Sequence, residues 1–99
     1  MKINISSVHF KADKKLEDFI NGRLEKLSNL YDGVIGGEVT LKINKSSSPD
    51  NKITEIKLFI RGNDLFAKKQ SKTFEEATDN AVEALRKQLT RHKEKIKGL

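Results

Sequence analysis

Between Thr73 and Lys97 the apolar residues fall at helical spacing. Phe74, Ala77, Ala81, Val82, Leu85, Leu89 and Ile96 form one stripe, predicting a helix of about seven turns at 3.6 residues each. Its start is marked by "TFEE", a capping box in which Thr73 caps the first turn and Glu76 reaches back. A helix this long with one greasy side needs that side covered, because packing rather than propensity holds most protein helices together. The rest of the chain must therefore supply an apolar surface.

It does so with strands and a second helix. Ile3 and Ile5, with Val8 and Phe10 following, alternate as in a short strand. In "ADKKLEDFINGRLEKLSNLY", Leu16, Phe19, Ile20, Leu24, Leu27 and Tyr31 recur at three and four, with Asp13 placed to cap. Gly22 falls mid-helix, at a cost of about 1 kcal/mol relative to Ala, and suggests close packing there. "DGVIGG" breaks the helix. "EVTLKI" then sets Val39, Leu41 and Ile43 on one face, and "NKSSSPDN" is a loop. "KITEIKLFIRG" turns Ile56, Leu58 and Ile60 inward, "GND" is a tight turn, and "LFAKKQS" turns Leu65 and Ala67 inward.

The predicted order is β-α-β-β-β-α, an α+β class in which a right-handed crossover makes the first two strands parallel neighbours. Three closely spaced strands form an antiparallel meander. The economical packing is a four-stranded sheet with two helices on one face. The other face then meets solvent with Thr40, Lys42, Lys57, Phe59, Arg61, Phe66 and Lys68. Ninety-nine residues make a single domain, 1–99.

Composition excludes several classes. There is no cysteine, hence no disulfide or thiolate metal site, as fits a cytoplasmic protein. No run approaches the roughly 20 apolar residues of a membrane span. The alternating N-terminus reads as structure and not as a signal peptide. The net charge is +6, and residues 85–99 hold six cations against one anion. The preceding 84 residues hold fourteen against thirteen. Such asymmetry points to a polyanionic partner.

On the helical wheel Lys87, Arg91 and Lys95 share one outward ridge, and Arg86, Lys93 and Lys97 share another. An acidic start (Glu75, Glu76, Asp79, Glu83) and a basic end suit the helix dipole. That effect fades beyond the terminal turn, while these cations span roughly three turns. Like charges at Lys87–Arg91 and Arg91–Lys95 oppose the helix itself. The density is better explained by phosphates of folded RNA. Membrane binding is disfavoured, because the exposed face lacks apolar anchors. Phe59 and Phe66 on the open sheet face offer stacking platforms, but no RRM-like glycine-aromatic motif accompanies them.

Nothing suggests an enzyme, a cofactor or a small-molecule substrate. His9 and His92 lie in different elements, and no Gly-rich phosphate loop or nucleophile elbow appears. Asp79 and Glu83 at i,i+4 could touch a hard cation, but solvated carboxylates are the plainer reading, and no metal site is expected.

"FEEATDNAVEALRKQLTRHKEKIK" resembles the corresponding helix of the ribosome hibernation-promoting factors, or ribosomal S30AE family. Ala77 and Asp79 match an Ala-x-Asp, and Leu85, Lys87, Gln88 and Leu89 match a Leu-x-Arg/Lys-Gln-Leu. Thr90, Arg91, His92, Lys93 and Lys95 match the basic end. Glu75 and Thr78 depart from the usual aromatic and large aliphatic. The resemblance implies a fold similar to double-stranded RNA-binding domains. It implies binding to the 30S subunit and its 16S rRNA in the mRNA/tRNA channel, blocking translation in 70S or hibernating 100S ribosomes. By position it implies RNA contacts from Lys87, Arg91, His92, Lys93 and Lys95, with Arg23 and Lys26 on the first helix; Arg86 and Lys97 join them from charge placement. Off the ribosome a monomer is expected. Ending at Leu99, the chain is similar to the family's short, tail-less form. A generic structured-RNA-binding module is the alternative.

Overall fold

The structure, a computed structural model, describes residues 1–45 and 48–96, with side chains through residue 94. Its elements are β1 (Lys2–Ser7), α1 (Lys14–Ser28), β2 (Val34–Ile43), β3 (Lys52–Ile60), β4 (Asn63–Ser71) and α2 (Phe74–Ile96). The sheet order is β1-β2-β3-β4. β1 runs parallel to β2, and the other pairs are antiparallel. Both helices pack on one face, as the apolar patterns require.

Each helix starts where its cap predicts. The Asp13 carboxylate accepts from the Leu16 amide at 2.8 Å, and the Thr73 hydroxyl accepts from the Glu76 amide at 3.0 Å. Each bond satisfies an N–H group that has no partner inside the helix. The core joins Leu16, Ile20, Leu24 and Leu27 of α1 to Leu85 and Leu89 of α2. Beneath both helices lie Val39, Leu41, Ile56, Leu58 and Ile60 of the sheet. Phe10 stacks on Phe74 with ring centroids 4.9 Å apart and closes one end. Thr54 and Thr78 are fully buried, their hydroxyls 3.3 Å apart. A polar pair replaces aliphatic packing there, one hydroxyl donating to the other.

Several local expectations change. β1 ends at Ser7; the chain then turns at His9, whose φ is 67°, so Val8 and Phe10 lie beyond the strand. "DGVIGG" is not wholly a break, since β2 already begins at Val34. Gly36 belongs to that strand because a Cβ there would sit 2.6 Å from the Lys2 carbonyl oxygen. Its bare backbone lets β1 approach. Gly22 permits no close packing, because a Cβ at that position would meet nothing within 4 Å. The last hairpin turns at Arg61–Gly62, one residue earlier than expected, with Ile60 paired to Asn63 and Gly62 at φ 77°. Glycine adopts that conformation without steric cost. Ile43 shares the parity of Leu41 but remains 39% exposed at the strand end. The predicted stripe residue Ile96 has its side chain outside the described set.

Candidate nucleic-acid interface

The buried stripe fixes how α2 is rotated. With Ala77, Ala81, Leu85 and Leu89 facing the sheet and α1, the charged residues divide between two flanks. Lys87 and Arg91 lie on the β4 side, beside Lys69, Gln88 and Glu83. Arg86 and Lys93 lie on the α1 side, beside Leu30 and Thr90. Among the described residues, Lys87 and Arg91 thus keep to one flank and Arg86 and Lys93 to the other, but these cations are not equally available.

Lys87 and Arg91 are exposed and make no ion pair or hydrogen bond among the described residues. Lys26, in the last turn of α1, is likewise exposed and unpaired in that set. Arg86 is held by Glu83 three residues earlier, its Nε donating to Oε2 at 2.9 Å and a second nitrogen to Oε1. That hydrogen-bonded pair pushes the Glu83 carboxyl below its ordinary value and raises the Arg86 guanidinium. Arg23 is also engaged. Its Nε lies 2.7 Å from Asp79 Oδ1, joining α1 to α2, and its guanidinium rests 4.4 Å from the Phe19 ring centroid. Both carboxylates considered for a hard cation, Asp79 and Glu83, are thus committed to arginines.

Lys93 donates to the Leu30 carbonyl at 2.7 Å. That carbonyl lies in the loop just past the end of α1, so the bond ties α2 to this loop. His92 is half-buried, its ring edge-on to Tyr31 at 5.6 Å. Its Nε2 is buried and meets no hydrogen-bond partner among the described residues. The side chain of Lys95 and all of Lys97 lie outside the described residues.

The open sheet face differs from its expected form. Glu55 accepts from Lys42 at 3.0 Å and lies 3.8 Å from Lys68. Lys57 sits 5.7 Å over the Phe59 ring and pairs in register with Glu38. Of the two expected platforms, only Phe66 is widely open, at 53% exposure. Arg61 belongs to the turn and not to the face. Glu55 was legible as an outward position in "KITEIKLFI", but its two partners come from neighbouring strands. Lys69 had a clear signal in its parity with Leu65 and Ala67, which puts it on the helix side of β4.

A model of the family described as Sigma 54 modulation protein / S30EA ribosomal protein matches residues 3–97. The chain belongs to that family. Among relatives, the ribosome hibernation promoting factor of Klebsiella oxytoca is 26% identical over 97 residues, covering 98% of each chain. That of Pseudomonas putida is 27% identical over 99 residues, covering 100% of this chain and 93% of its own. The fold recurs in a ribosomal subunit interface protein from Coxiella burnetii. There the TM-score is 0.84 at 19% identity, with 94% of this chain and 98% of that one covered. The N-terminal domain of Thermus thermophilus Protein Y gives 0.81 at 20%, covering 93% and 99%. Family membership agrees with the β-α-β-β-β-α order.

Proposed function

We propose that this S30EA-family chain is a translation regulator, residues 1–99 acting as one ribosome-binding domain in the cytoplasm. It binds 16S rRNA of the small subunit in the mRNA/tRNA channel, in 70S or 100S ribosomes. By filling that channel it blocks translation and promotes hibernation, and it acts by occupancy rather than catalysis. The observation that carries this reading is the docking of α2 through its apolar stripe, which leaves Lys87 and Arg91 exposed with no ion pair or hydrogen bond among the described residues. Phosphate neutralisation by such cations releases counterions and drives association. The names of the relatives support a ribosomal target: Klebsiella and Pseudomonas relatives are hibernation promoting factors, and the Coxiella neighbour is a ribosomal subunit interface protein.

The test is co-sedimentation with purified ribosomal subunits beside an unrelated structured RNA of similar charge. Preference for the small subunit, with inhibition of cell-free translation at the same concentrations, is the expected result. Preference for the large subunit would overturn it. Equal binding to the unrelated RNA would reduce the function to generic RNA binding.

A further inference from the structure

The two flanks of α2 are chemically unlike, and the difference extends onto the sheet. Between α2 and β4 runs an open groove of about 470 Å³, lined by Lys69, Asn80, Glu83, Lys87, Gln88 and Arg91 among others. Gln88 donates from Nε2 to the Phe66 carbonyl at 2.9 Å and so ties the helix to the edge strand. Lys69 continues the inward parity of Leu65 and Ala67 but lies beyond the cover of the helix, so it is exposed at the groove. Its neighbour Lys68 points to the opposite face and lies near Glu55.

Three cations from two elements therefore converge here with no ion pair or hydrogen bond among the described residues: Lys69, Lys87 and Arg91, of which Lys87 feels the Glu83 carboxylate only through space. The groove's carboxylate, Glu83, is bound to Arg86. Lys87 and Arg91 stand about 6 Å apart along the helix axis, a step that suits successive phosphates. On the other flank Arg86, Lys93 and Arg23 are occupied by Glu83, the Leu30 carbonyl and Asp79.

We propose that the RNA backbone tracks the seam between α2 and β4, with Lys69 as a third phosphate-binding residue beside Lys87 and Arg91. This rests on the ribosome-binding function proposed above and specifies which side of the helix meets the RNA. Lysine at Lys69 and Lys87 supplies point charges, and Arg91 can grip one phosphate with two donors. The edge position of β4 leaves the seam open to a long, continuous ligand.

Binding of purified 30S subunits, titrated between about 50 and 200 mM salt, tests the assignment with Lys69→Gln, Lys68→Gln and the double variant Lys87→Gln/Arg91→Gln. All four side chains are exposed, and thermal melts confirm that each variant is folded. Lys69→Gln should weaken binding several-fold and flatten the plot of log affinity against log salt by roughly 0.7–0.9, the loss of one phosphate contact. Lys68→Gln should leave that slope unchanged. If Lys69→Gln behaves as the parent, or no differently from Lys68→Gln, while the double variant loses binding, the seam assignment falls and the ribosomal function stands. If the double variant binds as the parent does, the seam assignment falls while the ribosomal function stands; if the parent does not bind 30S, the functional reading falls and takes the seam with it.

Discussion

The outward flank of α2 and the outer face of the sheet both display lysines, but their carboxylates are placed differently. On the sheet, cations and anions interleave through the strand register. Glu55 lies between Lys42 and Lys68, and Lys57 stands opposite Glu38 in the strand register. Opposite charges on adjacent strands stabilise each other locally and cancel at a distance. On α2 the charges separate along the axis, with Glu75, Glu76 and Asp79 at the start and Lys87, Arg91 and Lys93 toward the end. A helix keeps such segregation as a directional field, whereas a sheet with alternating registers folds it away. What counts for a polyanionic partner is the distance of each cation from its nearest carboxylate, and not the number of cations.

The largest expected effect breaks this comparison directly. Reversing Lys87 and Arg91 together to Glu should abolish 30S co-sedimentation at physiological salt, since two attractions become two repulsions. Replacing Lys42 and Lys68 together with Gln should leave 30S affinity and its salt slope unchanged. It should cost up to about 1 kcal/mol of stability, because Glu55 loses both partners. Denaturant unfolding and sedimentation, run on the same preparations, separate the two results. Equal loss of binding from the sheet pair would show that both faces touch RNA and that the contrast is wrong.

Arg23 and Lys26 sharpen the same contrast within α1. Arg23 is shared between Asp79 and the Phe19 ring, while Lys26 is exposed in the last turn. Arg23→Gln should therefore lower stability by about 1 kcal/mol, the sum of a half-exposed ion pair and a cation–π contact. For a domain of this size that is roughly 4–8 °C in Tm. Lys26→Gln should leave Tm alone and reduce the salt slope of 30S binding. Gly22→Ala is the neutral control. With open space around the missing Cβ, it should raise stability by about 0.5–1 kcal/mol and not alter binding. A change in affinity there would mean that stability, and not charge, governs the assay.

Local chemistry was readable along the chain, and tertiary partnership was not. Asp13 and Thr73 announce their helices because capping involves residues three apart. Strand parity gave Val39, Leu41, Ile56 and Leu58 as core because the pleat has a period of two. By contrast, Arg23 meets Asp79 across 56 residues, and Lys93 meets the Leu30 carbonyl across 63. Neither pairing leaves a trace in spacing, since each depends on how α1 and α2 settle on a common sheet. The same is true of Gly36, whose need for a bare backbone arises only once Lys2 of β1 lies beside it. The ridges of the candidate site were therefore legible from periodicity. Which cations on them remain available was decided by neighbours that periodicity cannot see.

The smallest effect concerns Arg86, which stands between the two regimes: it lies on the basic helix but is neutralised as the sheet lysines are. Its partner Glu83 has a carboxyl pKa pushed below the ordinary 4.5, chiefly by the hydrogen bond from Arg86. A depressed carboxyl pKa contributes stability that is present above the unfolded value and lost as pH falls through the folded one. The pair should therefore hold unchanged from pH 5 to 8, and 30S affinity should show no pH dependence from this source. Glu83→Gln removes the carboxylate at neutral pH. Arg86 is then released and an acid is lost from the groove beside Lys87, so the salt slope of binding should steepen by at most about 0.9, one added contact. A slope that does not move would mean that the α1 side of the helix stays away from RNA, leaving the β4 side to carry the interaction alone.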